Sequence, residues 1–116
     1  MREPGQLVLV PFAFSDQSGL KLRPALLICR APGRHDDWLL CMLSSRLHQA
    51  EPGFDEIVAS QDPDFAATGL KVPSVIRLAR VAVVDGGMLA GAIGSVGPDR
   101  LRKVRMRLAD WIAVAE

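Results

Sequence analysis

Two short runs, Pro24-Ala25-Leu26-Leu27-Ile28-Cys29 and Trp38-Leu39-Leu40-Cys41-Met42-Leu43, are apolar at every consecutive position. A half-buried strand alternates apolar and polar residues, so a run apolar at both parities needs cover on both faces. Each run is six residues long, short for a helix, and turn residues close both sides. Ser15-Asp16-Gln17-Ser18-Gly19 precedes the first run, and Ala31-Pro32-Gly33 separates the two. The pair therefore reads as two central strands of one β structure.

The rest of the chain supplies strands to flank them. Gln6 to Phe14 is rich in Val, Leu and Phe and reads as a strand. A shorter strand is expected near Glu56 to Ala59. Ser74 to Leu78 and Arg80 to Val84 form a β pair or one bent strand. Asp85-Gly86-Gly87 turns the chain, and Ala92-Ile93-Gly94 adds a short strand. At the C-terminus the period changes. Leu101, Val104, Leu108, Trp111, Ile112 and Ala115 recur at helical spacing. Gly97-Pro98-Asp99 starts that helix, with Pro pre-set for the first turn and Asp near the positive end of the dipole. Arg102, Lys103 and Met106 point away from its apolar stripe. Many short strands and one closing helix predict a mainly β domain, a small barrel or sandwich with a C-terminal α-helix, in a single domain over residues 1–116.

Composition narrows the function classes. Net charge is +1, so no overall field announces a nucleic-acid partner. Eleven of the fourteen basic residues are Arg, the side chain suited to bidentate phosphate contact. Glu51, Asp55, Glu56, Asp62 and Asp64 fall in a stretch without Lys or Arg, so the remainder of the chain is basic. That stretch reads as a solvated loop and strand edge, with steering of an anionic ligand to the opposite face as its functional reading. The basic side of the helix (Arg100, Arg102, Lys103, Arg105, Arg107) reads as a solvated face that could meet an acidic partner segment. Cys29 and Cys41 lie in apolar runs and read as buried free thiols. No metal spacing joins them to His35 or His48, no cofactor motif is present, and no run approaches a membrane span. The expected location is the cytoplasm.

Two strand ends carry candidate chemistry. Lys21-Leu22-Arg23-Pro24 opens a buried strand after a loop, with Pro24 as the strand's first residue and Arg23 at its mouth. Leu43-Ser44-Ser45-Arg46 puts two hydroxyls and a guanidinium where the next strand ends. His48 follows Ser44 by four residues and stays a candidate general base. Trp38 and Trp111 read as core residues, while Phe12 and Phe14 beside the first loop are the better placed aromatics to stack on a ligand.

The ordered set resembles the MazF/PemK family of toxin endoribonucleases. Its pieces are Gly5 to Phe12, Ser18 to Ile28 with the K-x-R-P-A segment, Leu43-Ser44-Ser45, Gly69 to Leu78, and Gly91 to Gly94 before the helix. The resemblance implies an SH3-like barrel of the toxin type, a homodimer, a cognate antitoxin, and metal-independent cleavage of single-stranded RNA. The implied products carry 2′,3′-cyclic phosphate and 5′-OH ends. Arg23 matches the family's catalytic Arg and Ser44 its hydroxyl residue. Lys21, Ser45, Arg46, Phe12, Phe14 and Asp16 would contact RNA, with the Ser15 to Leu20 loop as a lid. The chain departs from the family pattern at Gln6, at Ala82 and at Gly86-Gly87. Those departures keep a second reading open: a non-enzymatic module on the same fold, a gyrase-poison-like or degenerate toxin.

Overall fold

The computed structural model describes residues 2–13 and 20–116. In chain order these form β1 (Gln6–Ala13), β2 (Leu20–Arg30), β3 (Asp37–Ser44), a 3-10 turn (Leu47–Gln49), β4 (Glu56–Val58), α1 (Phe65–Thr68), β5 (Ser74–Asp85), a second 3-10 turn (Gly86–Met88), β6 (Gly91–Ser95) and α2 (Pro98–Val114). The strands make one antiparallel sheet in the order β4-β5-β3-β2-β1-β6. The two runs apolar at both parities are its central strands, β2 and β3.

Both faces of those strands are buried, as consecutive apolar positions require. Leu26, Ile28, Cys41 and Leu43 join Leu7, Val58, Ile76, Leu78 and Val96 under Val104 and Leu108 of α2. Ala25, Leu27, Trp38 and Leu40 pack with Val8, Val10 and Leu89 on the opposite face. The first cluster contains Val58 from one edge strand and Val96 beside the other, so the sheet curls until its two edges share a core.

The N-terminus of α2 seals that seam. The Arg100 guanidinium donates to the Ile57 carbonyl of β4 (2.9 Å) and to Asp64 and Asp62, while the Gly97 N–H donates to Asp64 Oδ2 (3.0 Å). α1 lies tight on β6: a Cβ at Gly94 would collide with the Ala67 carbonyl, and one at Gly69 with that of Ile93. Gly69 also needs a left-handed backbone, φ 73°, to end α1.

Two prolines mark where the sheet opens. Pro24 is not the first residue of its strand; β2 begins four residues earlier, at Leu20. Residues 20–24 pair with β1 alone, because β3 meets β2 only from Ala25 onward. Likewise β6 pairs with β1 over Gln6 to Leu9, leaving Pro11 opposite Leu22 with a partner on one side. A strand with one open flank tolerates a residue that has no N–H to give. The outer halves of β1 and β2 thus form a two-stranded arm beyond the sheet. Val10 and Arg23 are cross-strand partners on it, as are Phe12 and Lys21.

The acidic stretch and the basic helix face are not separately solvated, which corrects the sequence reading of both. The Arg100 side chain is only 11% exposed and pairs with Glu56, Asp62 and Asp64. Arg107 donates to Glu56 (2.8 Å) and to the Phe54 and Asp55 carbonyls. Arg105 donates through two nitrogens to the Ile28 carbonyl. Arg102 and Lys103 stay largely in solvent. Cys29 and Cys41 are free thiols. Burial, with Asp55 nearby, pushes the Cys41 thiol up to about 12, so it stays protonated and inert. Trp38 is buried in the core, whereas Trp111 is 40% exposed and stacks edge-to-face on Phe54.

Candidate nucleic-acid cleft

Where β2 and β3 part, a cleft of about 560 Å³ opens between the β1–β2 arm, the end of β3 and the bend of β5. Arg23 and Phe12 reach it from the arm. They share a sheet face with Val10 and Ala25, hence with Met42 and Ser44 across the gap. Ser44 is the last residue of β3, and Ser45 and Arg46 follow it along the rim. The structure therefore brings together five residues singled out from sequence: Arg23, Ser44, Ser45, Arg46 and Phe12. Lys21 lies on the same arm opposite Phe12 but does not line the cleft. Phe14, Asp16 and the proposed lid, apart from Leu20 at the start of β2, lie outside the described residues. His48 is exposed in the 3-10 turn and is not part of the lining; His35 sits at the far end of the β2–β3 hairpin.

Met42 and Leu43 line the cleft beside them, and three polar residues of the lining were missed in this role by sequence reasoning: Gln49, Arg77 and Arg80. Their position follows from an irregularity in β5. Leu43 pairs with Ile76, yet Cys41 pairs with Val81, so residues 77–80 fall out of register. In a regular strand Arg77 and Arg80, three apart, would face opposite sides. The bulge lets both reach the cleft. The available signal was a pair of arginines inside an otherwise apolar strand.

The lining thus carries four guanidiniums (Arg23, Arg46, Arg77, Arg80) and no carboxylate among the described residues. Asp55, behind the lining, pairs with Arg77 (Nε–Oδ2 3.5 Å). Its side chain is 4% exposed and is fixed by the N–H groups of Leu78 (3.0 Å) and Glu51 (2.9 Å). The Ser44 hydroxyl accepts from the Arg46 N–H (3.1 Å) and donates to Gln49 Oε1 (3.3 Å). Arg77 Nη1 donates to the same oxygen at 3.0 Å. Four cations on one wall favour a polyanion, and the forked guanidinium matches a phosphate's oxygens. A half-exposed Phe at the rim supplies a flat apolar surface for an unstacked base. Among the described residues, no three His, Cys, Asp or Glu side chains converge as metal ligands.

The residues departing from the family pattern lie away from this wall. Gln6 accepts from the Glu3 N–H through Oε1 (2.9 Å). Ala82 pairs with Leu40 on β3. Gly86 is buried against Asp36, its N–H donating to the Asp36 carbonyl (2.7 Å).

A curled antiparallel sheet closed by a C-terminal helix, with a basic cleft at the β1–β2 arm, defines a class of small toxins. The chain belongs to the family of PemK-like, MazF-like toxins of type II toxin–antitoxin systems, whose model matches residues 3–112. Solved structures share the fold. An endoribonuclease in complex with its cognate antitoxin, from a mycobacterial species, superposes with a TM-score of 0.69 at 12% identity, covering 100% of this chain and 99% of that one. Mycobacterium tuberculosis toxin MazF-mt6 gives 0.66 at 15% identity, over 96% and 99% of the two chains. The MazE–MazF structure from Deinococcus radiodurans gives 0.65 at 18% identity, over 98% and 97%. No curated protein matches the chain in sequence.

Proposed function

We propose that the protein is a sequence-selective endoribonuclease that cleaves single-stranded RNA without a metal ion, and that Arg23 and Ser44 are its catalytic pair. The observation that carries this reading is the convergence of Arg23 and Ser44, from different strands, on one cleft whose lining is cationic. Membership of the toxin family supports it.

The substrate brings its own nucleophile. Attack of a ribose 2′-OH on the adjacent phosphorus forms the 2′-O–P bond and breaks the P–O5′ bond. The 2′-OH proton leaves to solvent and O5′ gains one. The products are a 2′,3′-cyclic phosphate and a 5′-OH, and no water is consumed. The protein has to hold the phosphodiester in line and neutralise charge on its oxygens. Arg23 does both and can donate within a hydrogen bond to the departing O5′. Its guanidinium keeps its proton, so it is no general base. Ser45, Arg46 and Arg80 extend phosphate contact along the rim, Lys21 does so from the arm, and Phe12 stacks a base. Phe14, Asp16 and the Ser15 to Leu20 loop complete the RNA contacts.

The same reading includes a homodimer, a cytoplasmic site of action, and neutralisation by an antitoxin. Antitoxin-bound neighbours of the same fold support the last of these.

The test is cleavage of RNA in EDTA with end-group mapping, run beside Arg23→Ala. We expect cyclic-phosphate and 5′-OH ends from the wild type, and a rate about 1,000-fold lower or less for the variant. RNA left intact by the folded wild type would return the protein to the binding-module reading. Undiminished cleavage by Arg23→Ala would remove the catalytic assignment.

A further inference from the structure

The hydrogen bonds around Ser44 fix which way its hydroxyl points, and so what it can offer an RNA. Arg77 has only donors, so the Gln49 atom it meets at 3.0 Å is the amide oxygen. That oxygen has no proton to give. The Ser44 hydroxyl, 3.3 Å from the same oxygen, must therefore be the donor there. One of its lone pairs already accepts from the Arg46 N–H at 3.1 Å. Among the described residues those are its partners, and what is left is a second lone pair. The arrangement is anchored from below. Arg77 is held by Asp55, which is buried and tied to two backbone N–H groups.

We infer that Gln49, held by Arg77 and Asp55, is a positioning residue that commits the Ser44 proton inward and makes Ser44 a hydrogen-bond acceptor for the scissile ribose 2′-OH. This rests on the endoribonuclease reading and deepens it. A phosphate oxygen is itself only an acceptor, so a Ser44 oriented this way cannot bind one. The 2′-OH is the one donor beside the scissile phosphate. Accepting a hydrogen bond from the 2′-OH turns the 2′-oxygen lone pair toward phosphorus, which is in-line orientation rather than proton abstraction. Phosphate binding is left to the guanidiniums.

Two measurements decide it. The first is steady-state cleavage by Gln49→Leu and Gln49→Glu, with melting curves recorded alongside. Leu removes the acceptor, so kcat falls about tenfold while KM stays within about twofold, the pattern of a lost orienting hydrogen bond. Glu keeps an acceptor for both Arg77 and Ser44, so kcat returns to within about threefold of the wild type. The second is direct binding of an oligonucleotide with 2′-deoxyribose at the mapped cleavage position. This probe cannot react and lacks the group that Ser44 would contact, so wild type and Ser44→Ala bind it equally, within about twofold. If Ser44→Ala weakens that binding more than about threefold, Ser44 touches phosphate and the inference is overturned. It is also overturned if both Gln49 variants keep the wild-type kcat, or lose it equally, while Arg23→Ala is inactive; the endoribonuclease reading then survives. A wild type that cleaves no RNA overturns both together.

Discussion

Two regions of the molecule are built around arginine, and they use it in opposite ways. At the seam between β4 and α2, Arg100 is nearly enclosed and meets Glu56, Asp62, Asp64 and a backbone carbonyl. At the cleft, Arg23, Arg46, Arg77 and Arg80 stand on one wall whose lining holds no carboxylate among the described residues, with Asp55 behind Arg77. A guanidinium surrounded by three carboxylates has no capacity left for an outside anion, and its role is to hold chain segments together. A wall that carries four guanidiniums, with no carboxylate in its lining among the described residues, stays net positive even with Asp55 behind Arg77. The distribution of acids, more than of arginines, separates architecture from function here. The net charge of +1 averages over the two regions and so conceals it.

The separation predicts opposite phenotypes. Removing the partner of buried carboxylates is costly, so Arg100→Met should lower stability by about 3 kcal/mol. For a chain of this size that is a fall in Tm of roughly 10–15 °C. Cleavage per folded molecule should be unchanged. Arg23→Ala should do the reverse, with activity lost and Tm lowered by less than in Arg100→Met in the same calorimetric scan. An Arg100→Met protein that melts normally but cleaves poorly would break the comparison.

Acid should act on the seam next. The hydrogen bond from Arg100 holds the Asp64 carboxyl down to about 2, against 3.8 unperturbed, with the Gly97 N–H helping. A carboxyl whose folded value is depressed stabilises above its unfolded value and loses that contribution as pH falls through the folded one. Asp64 should therefore contribute about 2 kcal/mol near neutrality, lost between roughly pH 4 and pH 2. Urea midpoints should fall across that window in the wild type. Asp64→Asn should start lower at pH 7 and vary less over the same range. Equal slopes for the two proteins would remove Asp64 from the account.

How much of this was legible depends on the distance over which each feature acts. The two apolar runs named the central strands because double burial is written in consecutive residues. Pro24 was misplaced by the same local logic. A proline suggests a strand's start, but its meaning here comes from β3 ending its pairing with β2 at Ala25, a fact about a strand 13 or more residues away. Arg23, Ser44 and Arg46 were found because strand ends and the family pattern mark them. Arg77 and Arg80 were overlooked as cleft residues because their shared face depends on a bulge between β3 and β5. Gln49 carries no signal of its own; only Ser44 and Arg77 on either side give it a role. The acidic stretch and the basic helix each looked solvated because they were read apart. They neutralise each other across separations of 36 to 51 residues.

The smallest expected effect tests whether the cleft's rim meets phosphate at all. Arg80 is exposed and lines the cleft. Its removal should cost stability no more than about 0.5 kcal/mol, as for most surface positions. If it contacts one phosphate, releasing one fewer counterion should reduce the slope of log affinity against log salt by about 0.7, the single-strand value. Binding of an unreactive 2′-deoxy oligonucleotide to wild type and Arg80→Met, titrated from about 50 to 200 mM salt, reads that slope directly. Arg102→Met is the matched control: Arg102 is an exposed arginine on α2, outside the cleft lining, with Asp99 beside it. It should leave the slope unchanged. If both variants shift the slope equally, RNA responds to the general charge of the surface and the cleft loses its special status. A shift confined to Arg80→Met places the RNA backbone along the wall that the β5 bulge builds.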